Sequence, residues 1–291
     1  PPPVRTLRVP VAGGVLGATV AERAERAERA ERAERAERDE RDAATVLLLP
    51  GQSLGPDVFD GVLADLAGGF RVVVAHTRGT GEGEVEAGDW TTRTFAADAL
   101  AVLDALGVAR AHVYGFSMGG RVAQVLAAEH GERVASLVLG ATGPGGAHEV
   151  PRSAEVTRTL RHSGSPAGRA ALAELFFPPA WIAEHPATAA RFAPRGTPRA
   201  RRAHHSASTG HDGWDLLARI AAPTLVLHGE DDALTPVANA ALLAGRVPGA
   251  RLLTFPGARH GYLEQARPRS SQVVRAFLSG RWPAPAAGSA P

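Results

Sequence analysis

Short, wholly apolar runs alternate with helical patterns from residue 45 onward, and no other feature constrains the fold as tightly. Thr45-Val-Leu-Leu-Leu-Pro-Gly51, Arg71-Val-Val-Val-Ala-His-Thr77, Ala111 to Phe116, Val134 to Gly140, Pro223 to Gly229 and Arg251 to Gly257 read as strands. Between and after them, Thr94 to Leu106, Arg121 to Glu129 and Ser271 to Leu278 read as helices. A strand that is apolar on both faces must be covered on both. The pattern therefore predicts an α/β fold: a mostly parallel twisted sheet with helices on either side. Ligands of such sheets bind at the carboxyl ends of the strands, where the glycine-rich turns of this chain fall.

The alternation is interrupted twice. Val4 to Val20 predicts a β-hairpin with turns at Gly13-Gly14 and Gly17, and residues 21–42 then form an insertion in which Ala-Glu-Arg repeats six times. Each Glu of the repeat stands four residues before an Arg, a spacing that favours a helix. A period of three does not match 3.6, so the alanines rotate around the helix and no apolar stripe forms. The expectation is a solvated helix with no share in the core. Between Gly143 and Asp215 the strand pattern lapses again into helical or irregular sequence. The predicted organisation is a core in two parts, 1–142 and 216–280, with an inserted helical cap over 143–215 and a disordered tail over 281–291.

Composition excludes several chemistries. The 291 residues contain no cysteine, which removes disulfides, thiolate metal sites and cysteine nucleophiles. No apolar window is long enough for a membrane span, and the Pro-Pro-Pro start lacks a signal pattern, so the chain is expected to be cytoplasmic. The pI of 9.8 suggests a nucleic-acid partner, yet the formal net charge is only +2. Every basic residue is arginine, and almost nothing titrates between histidine and arginine, so a small excess moves the pI far. Residues 21–42 carry nine acids against seven arginines, which leaves the basic excess elsewhere. No nucleic-acid partner is expected.

Gly115-Phe-Ser117-Met-Gly119 is a G-x-S-x-G nucleophile elbow between a predicted strand and a predicted helix. The turn is tight enough to demand small residues two before and two after Ser117, and the helix dipole behind it favours a developing oxyanion. The Met118 backbone N–H, directly after the nucleophile, is the expected first oxyanion donor. A serine nucleophile needs a base, and the base an orienting acid. His228-Gly-Glu-Asp-Asp232 supplies an acid-rich turn after a late strand, with Glu230, Asp231 and Asp232 as candidates. Phe255-Pro-Gly-Ala-Arg-His260-Gly261 supplies a histidine in the loop after the last strand.

These motifs, with Pro223-Thr-Leu-Val-Leu-His-Gly-Glu-Asp-Asp-Ala-Leu-Thr-Pro236 and Gly257-Ala-Arg-His-Gly-Tyr262, resemble the α/β-hydrolase superfamily over roughly Val46 to Leu278. The similarity is to its cofactor-free esterase, enol-lactonase and haloperoxidase-like members. The resemblance implies an α/β-hydrolase fold with Asp232 as the acid and His260 as the base. It implies Gln52 as the second oxyanion donor, although Pro50-Gly51 stands where the family usually has His-Gly. His76-Thr-Arg-Gly-Thr-Gly81 resembles the family's Asp-x-Arg-Gly-x-Gly loop, with His in the Asp position, and is expected to be a structural turn beside the site.

The expected function is a serine hydrolase cleaving a small ester or lactone, with no cofactor and no metal. A haloperoxidase or perhydrolase activity on the same triad, or a non-catalytic binding protein, are the alternatives. His204, His205, His211 and Asp212 fit no standard metal spacing, and a buried hydrogen-bonding role is expected for His211 or Asp212. Phe176, Phe177, Trp181 and Trp214 are candidates either for an acyl pocket or for packing the cap onto the core. Arg191, Arg195, Arg199, Arg201 and Arg202 would favour an anionic substrate wherever they face the cleft.

Overall fold

The computed structural model describes residues 3–23, 44–86, 88–162 and 165–281. Most of the Ala-Glu-Arg repeat and the C-terminal tail lie outside the described residues, and with them the helix and the disorder expected there. A nine-stranded sheet runs through the rest: β1 Val4–Val11, β2 Gly14–Ala21, β3 Thr45–Leu49, β4 Arg71–Ala75, β5 Gly83–Val85, β6 Ala111–Phe116, β7 Val134–Gly140, β8 Thr224–Gly229 and β9 Arg251–Phe255. Its order is β1-β2-β4-β3-β6-β7-β8-β9, with β5 on the side of β2. From β4 through β9 the neighbours are parallel, whereas β1, β2 and β5 pair antiparallel.

Side chains of the fully buried strands alternate between two apolar cores. Leu47 and Leu49 point to one face with Val113 and Leu139, while Val46 and Leu48 point to the other with Tyr114 and Val138. The helices Thr92–Ala105 and Met118–Glu129 cover the first face; Asp60–Leu66 and Arg269–Leu278 cover the second.

Gly17 is not a turn. It lies inside β2, where its amide donates to the Glu82 carbonyl and its carbonyl accepts from His76 N. The glycine is needed because a Cβ there would collide with the His76 ring, and one on Gly81 would meet the same ring from the loop. His76 Nδ1 accepts from Glu82 N at 3.0 Å and Nε2 donates to Thr19 Oγ1 at 2.8 Å. The histidine in the family's Asp position thus closes its loop against the neighbouring strand.

Between β7 and β8 the chain runs through helices Ala154–Arg161, Pro166–Phe176, Pro179–Glu184, Pro186–Arg191, Pro198–Thr209 and Trp214–Leu217. Proline at N1 or N2 starts four of them, where a missing N–H costs nothing. The two ends of this segment meet, with Gly213 N donating to the Pro144 carbonyl at 2.7 Å. His211 locks the junction to the core: Thr92 Oγ1 donates to its Nδ1 at 3.1 Å and its Nε2 donates to Gln124 Oε1 at 3.2 Å.

Burial, reinforced by the charges of Arg121 and Arg93, pulls the His211 pKa down to about 3. The unfolded chain therefore takes up this proton long before the folded one does. The stabilisation is complete above about pH 6.5 and is lost as pH falls toward 3. Thermal melts are expected to show wild type losing more stability between pH 7 and 4.5 than His211→Gln, by about 5 °C or more. Parallel curves would remove His211 from the acid response.

Candidate active site

β6 ends in the tight turn that carries Ser117. Ser117 holds φ 56° and ψ −120°, a strained conformation for a residue with a side chain. Three contacts impose it: Ser117 N donates to Gly140 O at 2.8 Å, Gly120 N to Ser117 O at 2.9 Å, and Thr142 Oγ1 to Ser117 O at 2.8 Å. A Cβ on Gly119 would strike the Leu49 and Pro50 carbonyls, and one on Gly115 would strike the Gly119 carbonyl. Glycine at these positions lets the elbow sit directly against the end of β3. The helix begins at Met118, one turn earlier than its apolar pattern indicates, because Met118-Gly-Gly120 contributes little to that pattern.

The loop after β9 brings His260 to the serine, with Nε2 3.0 Å from Ser117 Oγ. Its ring lies between Phe116 and Phe176, at centroid distances of 5.1 and 5.2 Å. On its far side Nδ1 donates to Asp232 Oδ2 at 2.7 Å. That bond places the proton on Nδ1 and leaves the Nε2 lone pair toward the hydroxyl. Ser117, His260 and Asp232 come together as one relay; Glu230 and Asp231 are exposed, with Glu230 accepting from Thr254 Oγ1.

The buried Asp232 carboxylate is fully satisfied. Oδ1 accepts from Leu234 N and Thr235 N at 2.9 and 2.8 Å, and Oδ2 accepts from both His260 and His228. Burial raises its pKa, but the His260 charge and the hydrogen bonds from His228 and His260 outweigh that and bring it down to about 2. His228 was not singled out by the sequence reading. Its Nε2 lies 3.2 Å from Asp232 Oδ2 and 2.8 Å from the Thr235 carbonyl. The signal was its position in the strand immediately before the acid turn, where a buried polar residue needs a reason.

Gln52 and Met118 both line the cavity in front of Ser117. Ser53, beside Gln52, holds φ 58°. The helical segment fixes it from both sides, since Ser53 N donates to His204 Nδ1 at 3.0 Å and Arg195 N donates to the Ser53 carbonyl at 2.7 Å. His204 Nε2 then donates to the Arg78 carbonyl at 2.7 Å. His204 is thus a neutral bridge between two loops of the core, and burial lowers its pKa accordingly. Among the described residues no group of histidines and carboxylates is arranged to hold a metal.

The cavity has a volume of about 770 Å³. Of the candidate aromatics only Phe176 lines it. Phe177 and Trp181 stack on each other at 4.2 Å, and Trp214 stacks on His148 at 4.0 Å. Of the candidate arginines only Arg201 and Arg202 reach it. Arg191 and Arg195 pair instead with Asp60 and Asp57 on the core. Four further charged residues line it, Arg121, Glu149, Arg152 and Arg161, and none of them belongs to a sequence motif.

Comparison with known proteins agrees with this architecture. The sequence matches the family described as alpha/beta hydrolase fold over residues 44–164 and that described as TAP-like protein over residues 194–288. A candidate carbamate hydrolase, RutD of Azorhizobium caulinodans, is 31% identical over 229 residues, spanning 75% of this chain and 84% of that protein. A candidate non-heme bromoperoxidase, BpoC of Mycobacterium tuberculosis, is 31% identical over 235 residues, or 75% of this chain and 87% of that one. The enol-lactonase of Burkholderia xenovorans LB400 superposes with a TM-score of 0.77 at 24% identity, covering 94% of this chain and all of that one. The chain belongs to the α/β-hydrolase superfamily. Among the described residues no helix is long and apolar enough to cross a membrane.

Proposed function

We propose that the protein is a serine hydrolase that cleaves a small carboxylic ester or lactone through an acyl-enzyme on Ser117. The observation that carries this reading is the unbroken relay Ser117–His260–Asp232 opening on a cavity that Gln52 and Met118 also line. As Ser117 Oγ bonds the substrate carbonyl carbon, His260 Nε2 takes the hydroxyl proton. The Gln52 and Met118 N–H groups hold the oxyanion, and each such donor contributes about 2.7–4 kcal/mol to lowering the barrier. Collapse breaks the bond to the leaving oxygen, which receives the proton from His260. Water, deprotonated by the same nitrogen, then releases the acid and restores Ser117.

Two close readings use the same residues. A carbamate carbonyl in place of an ester is favoured by the relative named for carbamates, and hydrogen peroxide in place of water by the relative named for bromoperoxidation. A fluorophosphonate probe is expected to label Ser117 in wild type and nothing in Ser117→Ala. A panel of p-nitrophenyl esters, lactones and a p-nitrophenyl carbamate is expected to be turned over by wild type alone, and a peroxide-dependent bromination assay reports the third acceptor. Absence of both labelling and turnover would leave a non-catalytic binding protein as the better description.

A further inference from the structure

Guanidinium groups outnumber carboxylates in the cavity beyond what its ion pairs use. Arg121, Arg152, Arg161, Arg201 and Arg202 line it, against Glu149 as the one lining carboxylate among the described residues. Glu149 is already occupied, because Arg121 Nη2 donates to its two oxygens at 2.6 and 2.7 Å. Arg121 in turn spends Nη1 on the Ser208 carbonyl. Arg152 is different: it is partly buried, and among the described residues it makes no hydrogen bond and no ion pair. A guanidinium withdrawn from water without a partner is costly to hold. Burial, then the charge of Arg121, lowers its pKa accordingly, against the opposing pull of Glu149 and Asp232.

Two flanking helices carry the same sign of charge. Arg201, His205 and Ser208 occupy one face of Pro198–Thr209 at i, i+4 and i+7, and Arg161 ends the helix Ala154–Arg161 at the same cavity. Leu160, Leu172, Phe176, Phe192 and Leu234 give the same cavity an apolar wall. A low-dielectric wall concentrates the field of the arginines within the cleft. An unpaired guanidinium offers two parallel N–H donors, the geometry that a carboxylate accepts.

We propose that Arg152 is the anchor of a carboxylate subsite, and that the substrate is an ester or lactone whose acyl part bears a free carboxylate. Arg201, Arg202 and Arg161 draw the anion in, and the apolar wall packs the short chain between the carboxylate and the scissile carbonyl. This rests on the serine-hydrolase reading for the reaction, but not for the binding.

The test pairs mono-p-nitrophenyl pimelate with p-nitrophenyl heptanoate, which have the same acyl length and differ in the terminal carboxylate. Wild type is expected to favour the pimelate ester at least tenfold in kcat/KM, chiefly through KM, with the preference shrinking as salt rises. Arg152→Met is expected to cut that ratio tenfold or more, and Arg152→Lys to keep part of it. Calorimetry with pimelate alone is expected to detect binding to wild type that weakens at least tenfold in Arg152→Met.

A wild type that prefers heptanoate, or a ratio unchanged in Arg152→Met, would overturn the subsite while leaving the hydrolase reading intact. Pimelate binding through Arg152 without turnover of either ester would do the reverse. Should Arg152→Met fail to fold, the ratio, its salt dependence and pimelate binding in wild type still decide: no preference and no binding would overturn the subsite.

Discussion

Replacing His260 by alanine is expected to lower kcat for ester cleavage by about a millionfold, with thermal unfolding still cooperative. Nothing else can take over as base: among the described residues no other titratable group is bonded to the Ser117 hydroxyl. His205 lines the same cavity, but it is exposed on the helix Pro198–Thr209 and is not hydrogen-bonded to the serine. The cavity, with the proposed oxyanion donors Gln52 and Met118 in its lining, remains in the variant, so some acceleration over water is expected to persist. Folding should survive because the Asp232 carboxylate keeps three of its four donors, Leu234 N, Thr235 N and His228. The void left between Phe116 and Phe176 adjoins the cavity, so added imidazole is expected to restore part of the rate. Activity within tenfold of wild type, measured by p-nitrophenyl ester turnover, would show that His260 is not the base.

The sheet was legible because its strands are apolar throughout, and such a run has few alternatives to a doubly covered parallel strand. Ala111 to Phe116 and Val134 to Gly140 have the same bounds in sequence and structure for that reason. Gly17 was misread because a glycine within a strand and a glycine in a turn carry the same local signal. Only the His76 ring across the sheet explains it. Ser117, Asp232 and His260 stood out because each occupies a turn at a strand end, where chain order alone relates them.

The residues around them did not stand out. His228 and His204 act through partners 4 and 151 residues away, and Arg152 has no bonded partner among the described residues. Their roles arise from packing between segments, which has no period. The helical segment follows the same rule: its aromatic and arginine residues were identifiable as types, but which of them face the cavity depends on how six short helices stack.

Asp232→Asn is expected to lower kcat about 10,000-fold and to destabilise the fold by about 3 kcal/mol or more. The two losses share one cause. Oδ1 must accept from two backbone amides, so the asparagine oxygen takes that place and its NH2 falls where Oδ2 was. There it faces two donors, His260 Nδ1–H and His228 Nε2–H. His260 relieves the conflict by moving its proton to Nε2, where it points at Ser117 Oγ and can no longer accept the hydroxyl proton. His228 has no such escape, because its Nε2–H is also held by the Thr235 carbonyl.

The effect on stability depends on pH. The folded Asp232 pKa of about 2 lies below the unfolded carboxylate value near 3.9, so the charge stabilises the fold fully above about pH 4. That contribution is lost as pH falls toward 2. Urea unfolding of the two proteins is therefore expected to show a constant gap from pH 7 to about 4.5 that narrows below pH 4. The same depressed value means that the carboxylate stays ionised across the acid limb of the rate profile, so that limb belongs to another group. A variant with the full stability loss and an intact kcat would make Asp232 a packing residue, whereas loss of kcat with the tautomer shift visible on the His260 ring nitrogens by NMR would tie the carboxylate to the proton transfer at Ser117.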